Sequence, residues 1–263
     1  MIGDIDDSKA PLMEHLIELR KRLLISFAAL LVAFGIAYTQ TDRIFGFLVQ
    51  PLVHAYGPGV HGKLIYTKLY EAFFVEIKVA AFAAFVLAFP VIASQLWAFV
   101  APGLYKNEKR AFLPFMLATP LLFTCGAALA YYVVAPIAFK FLLNVRPAGT
   151  GSGLSQEALP SMDGYLSIVM QFIVAFGVAF LLPVLLMLLE RAGIVSRDQL
   201  KKGRRYAIVG AFIIAAVLTP PDVLSQCLLA GPLIILYELS IIGIWFTERR
   251  RAKDARRLPV VVP

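Results

Sequence analysis

Long apolar runs separated by polar connections organise this chain, at about 23–40, 72–94, 111–136, 165–189, 206–220 and 224–246. None of them alternates with the period of two that a barrel strand needs, so each is predicted to be a helix that satisfies its own backbone in lipid. Most reach the roughly 18 residues that mark a membrane span. The fifth is short. From Tyr206 to Thr219 there are about 14 residues, or roughly 21 Å of helix against a hydrocarbon core near 30 Å. That mismatch predicts local thinning of the bilayer or burial against neighbouring helices. The sixth run carries Pro232 and the ionisable Glu238 inside it. The pattern predicts an all-α integral membrane protein with six transmembrane helices, and no internal repeat is evident.

The connections differ in character. Residues 41–71 read as a long first loop containing Pro51, Gly57, Pro58, Gly59 and Gly62, and residues 144–163 read as a second, rich in Gly, Ser and Pro. The segment TPPDVLSQ is so short that spans five and six are expected to be tightly coupled, with Asp222 capping span six. The other connections carry the positive charge: Lys9, Arg20, Lys21 and Arg22; then Lys106, Lys109 and Arg110; then Arg191, Arg197, Lys201, Lys202, Arg204 and Arg205; then the tail from Arg249 to Arg257. These four regions take 19 of the 25 basic residues. Because they alternate along the chain, they all fall on one side, which the positive-inside bias makes cytoplasmic, with both termini there. Residues 1–22 are expected to form a cytoplasmic amphipathic segment, 23–246 the transmembrane domain and 247–263 a basic cytoplasmic tail.

Composition agrees. The chain is 60% hydrophobic and 16% charged, where a soluble domain carries about a quarter charged residues. Mean hydropathy is +0.78. The net charge of +8 is topological and does not form a nucleic-acid patch. The acidic start MIGDIDDSKAPLMEH lacks the basic n-region of a cleaved signal, so insertion is expected to rely on the first span. Cys125 and Cys227 lie in apolar runs without a CxxC partner and are expected to be buried packing residues. No nucleotide loop, HExxH, GxSxG or Cys/His cluster is present, and His15, His54 and His61 are scattered. No catalytic residue, metal or cofactor is expected.

Candidate chemistry lies in the polar residues beside and inside the spans. In EHLIELRKRL, residues 14–23, Leu12, Leu16, Leu19 and Leu23 share one helical face, and Glu18 can meet Arg22 one turn on. An amphipathic lead-in helix with surface pairs would explain the segment. So would carboxylates Glu14 and Glu18 that accept a cationic ligand at the membrane surface. In QLWAFVAPGLYKNEKR, residues 95–110, Trp97, Phe99 and Tyr105 suit the membrane interface, Pro102-Gly103 forces a turn, and Glu108 stands among cations. Glu76, Lys78, Glu190 and Glu238 are ionisable residues in or near spans and require partners.

HLIELRKRLL at 15–24, QLWAFVAPGLYKNEKR at 95–110, AYYVVAP at 130–136, FGVAFLLPV at 176–184 and VGAFIIAAVLTPPDVLSQ at 209–226 together resemble the TatC family. The resemblance runs in order from about residue 11 to 247. It implies a receptor core of the twin-arginine translocase, which exports folded proteins across the bacterial cytoplasmic (inner) membrane with the proton motive force. The implied fold is a glove-like, concave bundle of six spans. The implied partners are twin-arginine signal peptides, TatA-type and TatB-type single-span proteins, and further copies of itself. The implied signal-peptide acids are Glu18 and Glu108, supported by Arg20, Phe99, Leu104, Tyr105 and Lys106; Glu14 lies outside the match and is a secondary candidate.

Carboxylates suit that task because a guanidinium is a planar fork that they receive through charge-assisted bonds, which a lysine ammonium cannot reproduce. The resemblance further assigns Pro51, Phe73, Phe74, Gln95, Tyr131, Asp222 and Gln226 to the concave face or partner contacts, with Glu76 and Glu238 among its polar groups. One position departs from the family. Many relatives carry a glutamate in span four just before the proline, where this chain has Leu181-Leu182 before Pro183, and Glu76 is the carboxylate expected to stand in for it. Two other function classes compete: a secondary transporter using Glu238 and Glu76 as ion sites, and a bare structural scaffold that would leave Glu18 and Glu108 freely replaceable. A transporter needs a midplane site and two gates, whereas the charged motifs here gather at one surface.

Overall fold

The computed structural model describes residues 6–56, 63–104, 109–144, 160–191, 193–218 and 223–255. These fold as α1 (Asp6–Tyr38), α2 (Thr41–Tyr56), α3 (Glu71–Leu104), α4 (Lys109–Leu129), a π-helical turn (Ala130–Val134), α5 (Ala135–Asn144), α6 (Met162–Ala179), α7 (Leu182–Arg191), α8 (Arg197–Leu218) and α9 (Val223–Ala255). Among the described residues, five stretches are long and apolar enough to cross a membrane: His15–Tyr38, Glu71–Phe99, Phe115–Asn144, Met162–Arg191 and Gln226–Arg249. Helix α8 is not among them, because its first part, RDQLKKGRR, is charged and its apolar part starts only at Tyr206. The chain divides into two compact units. The first holds α1, α2 up to Val53, α3, α4 up to Leu121 and the start of α6 up to Ser167, and the second holds the rest.

In the first unit α1 packs on α3 through small residues. Ala33 and Ala37 meet Ala83, Ala84 and Ala88, with Leu30, Phe34, Ile44 and Ile92 around them. Alanines one turn apart let two helix backbones approach closely, which replaces the hydrophobic drive that lipid removes. Large apolar residues elsewhere on α1 remain exposed, including Leu23, Phe27, Leu31 and Val32. The helix ends at Thr39 and Thr41, whose hydroxyls donate to the terminal carbonyls of Ile36 and Tyr38 at 2.8 and 2.7 Å. There is no break at residue 22, so the amphipathic lead-in and the first span form one continuous rod.

The first connection is not the irregular loop its Pro and Gly content suggested. Residues 41–56 fold into α2, with Leu48, Pro51 and Leu52 buried on one face. Helical spacing of apolar residues outweighs a single internal proline here, and the Tyr165 hydroxyl secures the helix by donating to the Leu48 carbonyl at 2.8 Å. Beyond it a single carboxylate ties two chain segments together. Glu71 Oε2 accepts from the Thr67 amide (2.6 Å), the Thr67 hydroxyl (2.7 Å) and the Lys68 amide (3.2 Å), while Oε1 accepts from the Asp163 amide at 2.9 Å. The paired backbones of Ile65 and Ser161 and an ion pair between Lys78 and Asp163 complete the joint. An anion accepting from the first turn of α6 also meets the positive end of that helix. Glu71→Ala is expected to speed proteolytic cleavage within 63–70 by roughly tenfold or more, since local opening there is then opposed by fewer charge-assisted bonds.

The second unit contains close crossings at glycine. A Cβ on Gly177 would come within 2.5–2.9 Å of the Phe123 ring, and one on Gly126 would strike the Phe176 carbonyl and the Phe180 ring. The π-turn at Ala130–Val134 precedes Pro136, and the Ala135 amide bonds back to Ala130. Widening the helix by one residue accommodates a proline that neither donates nor fits the preceding turn. Pro183 acts similarly on the long fourth run, which breaks at Phe180-Leu181 into α6 and α7. After α7, Gly193 takes φ +73°, and Ser196 with Gln199 exchanges hydrogen bonds as a reciprocal cap for α8.

The two cysteines correct an expectation. Cys125 and Cys227 are both exposed. An apolar run in a membrane protein has apolar lipid outside it as well as apolar protein inside, so hydrophobicity alone does not imply packing.

Candidate functional site

The segment 12–34 has neither proline nor glycine and is rich in Leu, Glu, Arg and Lys, all strong helix formers. It therefore presents His15, Glu18 and Arg22, three and four residues apart, on one face of α1. Facing them on α3 are Gln95 and Phe99, also one turn apart. Arg22 donates to Glu18 Oε1 from Nη2 at 2.8 Å and from Nε at 3.2 Å, and to the Gln95 amide oxygen from Nη1 at 3.3 Å. The His15 imidazole stacks on the Phe99 ring, with centroids 4.3 Å apart and planes 21° from parallel. The end of α3 is held in place by buried Trp97, whose indole N–H donates to the Thr119 hydroxyl at 2.6 Å; that hydroxyl donates in turn to the Phe115 carbonyl.

The electrostatics follow from these contacts. Glu18 and Arg22 are partly exposed, at 32% and 29% of their side chains. Both arginine donors converge on one carboxylate oxygen, and Oε2 has no donor among the described residues. Arg20 and Lys21 are exposed beside them. The face thus offers a half-open carboxylate next to a half-buried aromatic ring, a combination that receives a planar cation by hydrogen bonding and by stacking. Among the described residues no group of three or more His, Cys, Asp or Glu could hold a metal ion.

Glu18, Phe99 and Gln95 therefore come together, and Gln95 belongs to the Glu18 cluster by contact. Leu104 is the last residue of α3 with its side chain outside the described residues, and Tyr105, Lys106, Glu108 and Asp222 lie outside them entirely. Phe73 and Phe74 are exposed and edge-stacked, Pro51 and Tyr131 are buried, Gln226 is half-buried, and Glu76 is exposed on α3. Glu238 has a partner: Arg204 Nη2 donates to its Oε2 at 2.8 Å. Both residues stand about 15 residues from the facing ends of α8 and α9, roughly 22 Å along each helix. Arg204, read from sequence as a loop cation, is thus a helix residue level with Glu238. Nearby, the Tyr237 hydroxyl donates to the Leu200 carbonyl and Arg197 pairs with Glu248.

Sequence reasoning passed over His15 as scattered and did not single out Glu71. The signal for His15 was its place three residues before Glu18 on the same helical face. For Glu71 it was a carboxylate four residues after Thr67 at a helix start. Neither signal names the partner on the other helix.

Fold and site define a polytopic helical membrane protein that presents a carboxylate and an aromatic face where its first and third helices meet. The model of the family "Sec-independent protein translocase protein (TatC)" matches residues 14–232. The chain is 50% identical over 248 residues to the protein of that name from Magnetococcus marinus, covering 94% of this chain and 89% of the relative. It is 42% identical over 253 residues to the one from Escherichia coli K12, covering 96% and 93%. A crystal structure described as the twin arginine translocase receptor TatC in DDM superposes with a TM-score of 0.76 at 42% identity, covering 87% of this chain and 98% of that one. The chain belongs to the TatC family.

Proposed function

We propose that this chain is the signal-peptide-recognising core of a twin-arginine translocase, with six spans and both termini on the cytoplasmic side of a bacterial inner membrane. The observation that carries this reading is Glu18. It is a half-open carboxylate beside Phe99, on a face built by α1 and α3, in a chain of the TatC family with a likeness to a twin arginine translocase receptor. In this reading Glu18 and Glu108 receive the two guanidinium groups of a signal peptide, and Arg20, Leu104, Tyr105 and Lys106 frame them. The exposed Phe73 and Phe74 suit contacts with single-span TatA-type and TatB-type partners, and buried Pro51 and Tyr131 suit shaping of the bundle. Further copies of the chain complete the assembly, driven by the proton motive force.

The test is co-purification of the full chain, in detergent or membranes, with a labelled peptide that carries an Arg-Arg pair ahead of an apolar stretch. Retention of the Arg-Arg peptide is expected, with roughly tenfold weaker retention of its Lys-Lys counterpart, because the ammonium lacks the bidentate fork. Equal retention of both peptides would contradict the assignment.

A further inference from the structure

We infer that Arg22 is an internal occupant of the Glu18 position that one guanidinium of a paired-arginine ligand takes, with His15 covering the neighbouring Phe99 ring, so that binding exchanges one guanidinium for another. This inference rests on the receptor reading above and deepens it.

The geometry supplies both halves. A guanidinium already lies on the Glu18 carboxylate at 2.8 Å, and a flat nitrogen ring already lies on Phe99 at 4.3 Å. Those are the two contacts that an arginine makes with an acid and with an aromatic face. His15 and Arg22 project from the same face of α1, two turns apart and on either side of Glu18.

The occupant is held loosely. Arg22 and Glu18 form a partly exposed pair four residues apart on one helix, among the weakest ion-pair arrangements, and both donors share one oxygen. A ligand can therefore start on Oε2, which takes no donor among the described residues, and then displace Arg22. The displaced guanidinium does not lose every partner, because its Nη1 already donates to the Gln95 amide oxygen from the other helix. Gln95 thus acts as a resting place for Arg22 while Glu18 is taken. Until then the acid is neutralised from within, so the empty receptor does not present a bare carboxylate to every passing cation.

The sign of the Arg22 effect separates exchange from positioning. A residue that merely orients Glu18 weakens binding when it is removed, whereas a residue that competes for Glu18 strengthens it. The experiment titrates a fluorescent Arg-Arg peptide with an apolar stretch into the full detergent-solubilised chain, by anisotropy, for the parent, Arg22→Ala, Arg22→Lys, Gln95→Ala and Glu18→Gln. Arg22→Ala is expected to bind roughly fivefold tighter at low salt, the size of an exposed helical ion pair plus one like charge removed near the ligand. That gain should shrink to about nothing in roughly 1 M salt, where screening acts within about 3 Å. Arg22→Lys keeps the charge and stays near the parent. Gln95→Ala stays near the parent, because the amide holds Arg22 both before and after the exchange. If Arg22→Ala binds no tighter than the parent while Glu18→Gln loses the peptide, exchange is overturned and the receptor reading stands. If Glu18→Gln binds as well as the parent, the receptor reading falls and the exchange falls with it.

Discussion

Replacing both Glu18 and Glu108 with alanine is expected to remove retention of an Arg-Arg signal peptide, and the double substitution is expected to cost more than either single one. Each acid would make a hydrogen bond between charged groups, worth about 1.5–3 kcal/mol once the exchange with water is counted. Loss of one acid therefore lowers affinity by roughly tenfold to a hundredfold, since every 1.4 kcal/mol is about a factor of ten. The measurement is peptide crosslinking to the full chain carrying neither, one or both substitutions. Glu18 is partly exposed, which places its single effect toward the lower end of that range. The two effects should come close to adding if the arginines are received separately, and a double loss equal to a single loss would mean that one acid carries the site alone. Undiminished crosslinking in both single mutants would remove these acids from the site.

The largest effect on folding is expected at the glycine crossings of the second unit. Gly126→Val places branched carbons against the Phe176 backbone carbonyl, which cannot rotate away, and against Phe180. Gly177→Ala meets the Phe123 ring at 2.5–2.9 Å, and Phe123 is itself fully buried, so it has no free space to turn into. Overpacking of this kind costs about 1–3 kcal/mol and more for a larger side chain. In a chain of this length each kcal/mol lowers the unfolding midpoint by about 2–4 °C. Gly177→Ala should therefore unfold several degrees earlier in a thermal scan of the solubilised protein, and Gly126→Val should fail to give a monodisperse folded species. Trimming the ring in a Gly177→Ala/Phe123→Leu pair should recover part of the loss, because the two positions are in contact and couple. Gly35 offers the control. A Cβ there meets nothing within 4 Å, so Gly35→Ala should be neutral or slightly stabilising through helix propensity.

Much of the candidate site is local and hence legible before folding. Glu18 and Arg22 are four residues apart in a run of helix formers, so their pairing follows from the pitch of one helix. The membrane character follows from run length and charge, and the weakness of the fifth run follows from a count of residues. Helix α2 was hidden because proline and glycine punctuation masked the four-residue spacing of Ile44, Leu48 and Leu52. The exposed cysteines were misread because lipid and protein interior are equally apolar to a sequence pattern.

The amino-acid sequence alone determined that the chain forms long membrane helices, where its cations gather, and that Glu18 meets Arg22. These depend on transfer free energy summed along a segment and on helical pitch, and both are properties of neighbours in the chain. Tertiary structure alone decided that Gln95 and Phe99 face that pair, that Arg204 answers Glu238, that Glu71 binds the start of α6, and that Gly126 and Gly177 are crossing points. Each of these requires two distant segments to choose one register against each other. That choice is made by close packing and by the cost of an unpaired polar group, which periodicity along one helix does not contain.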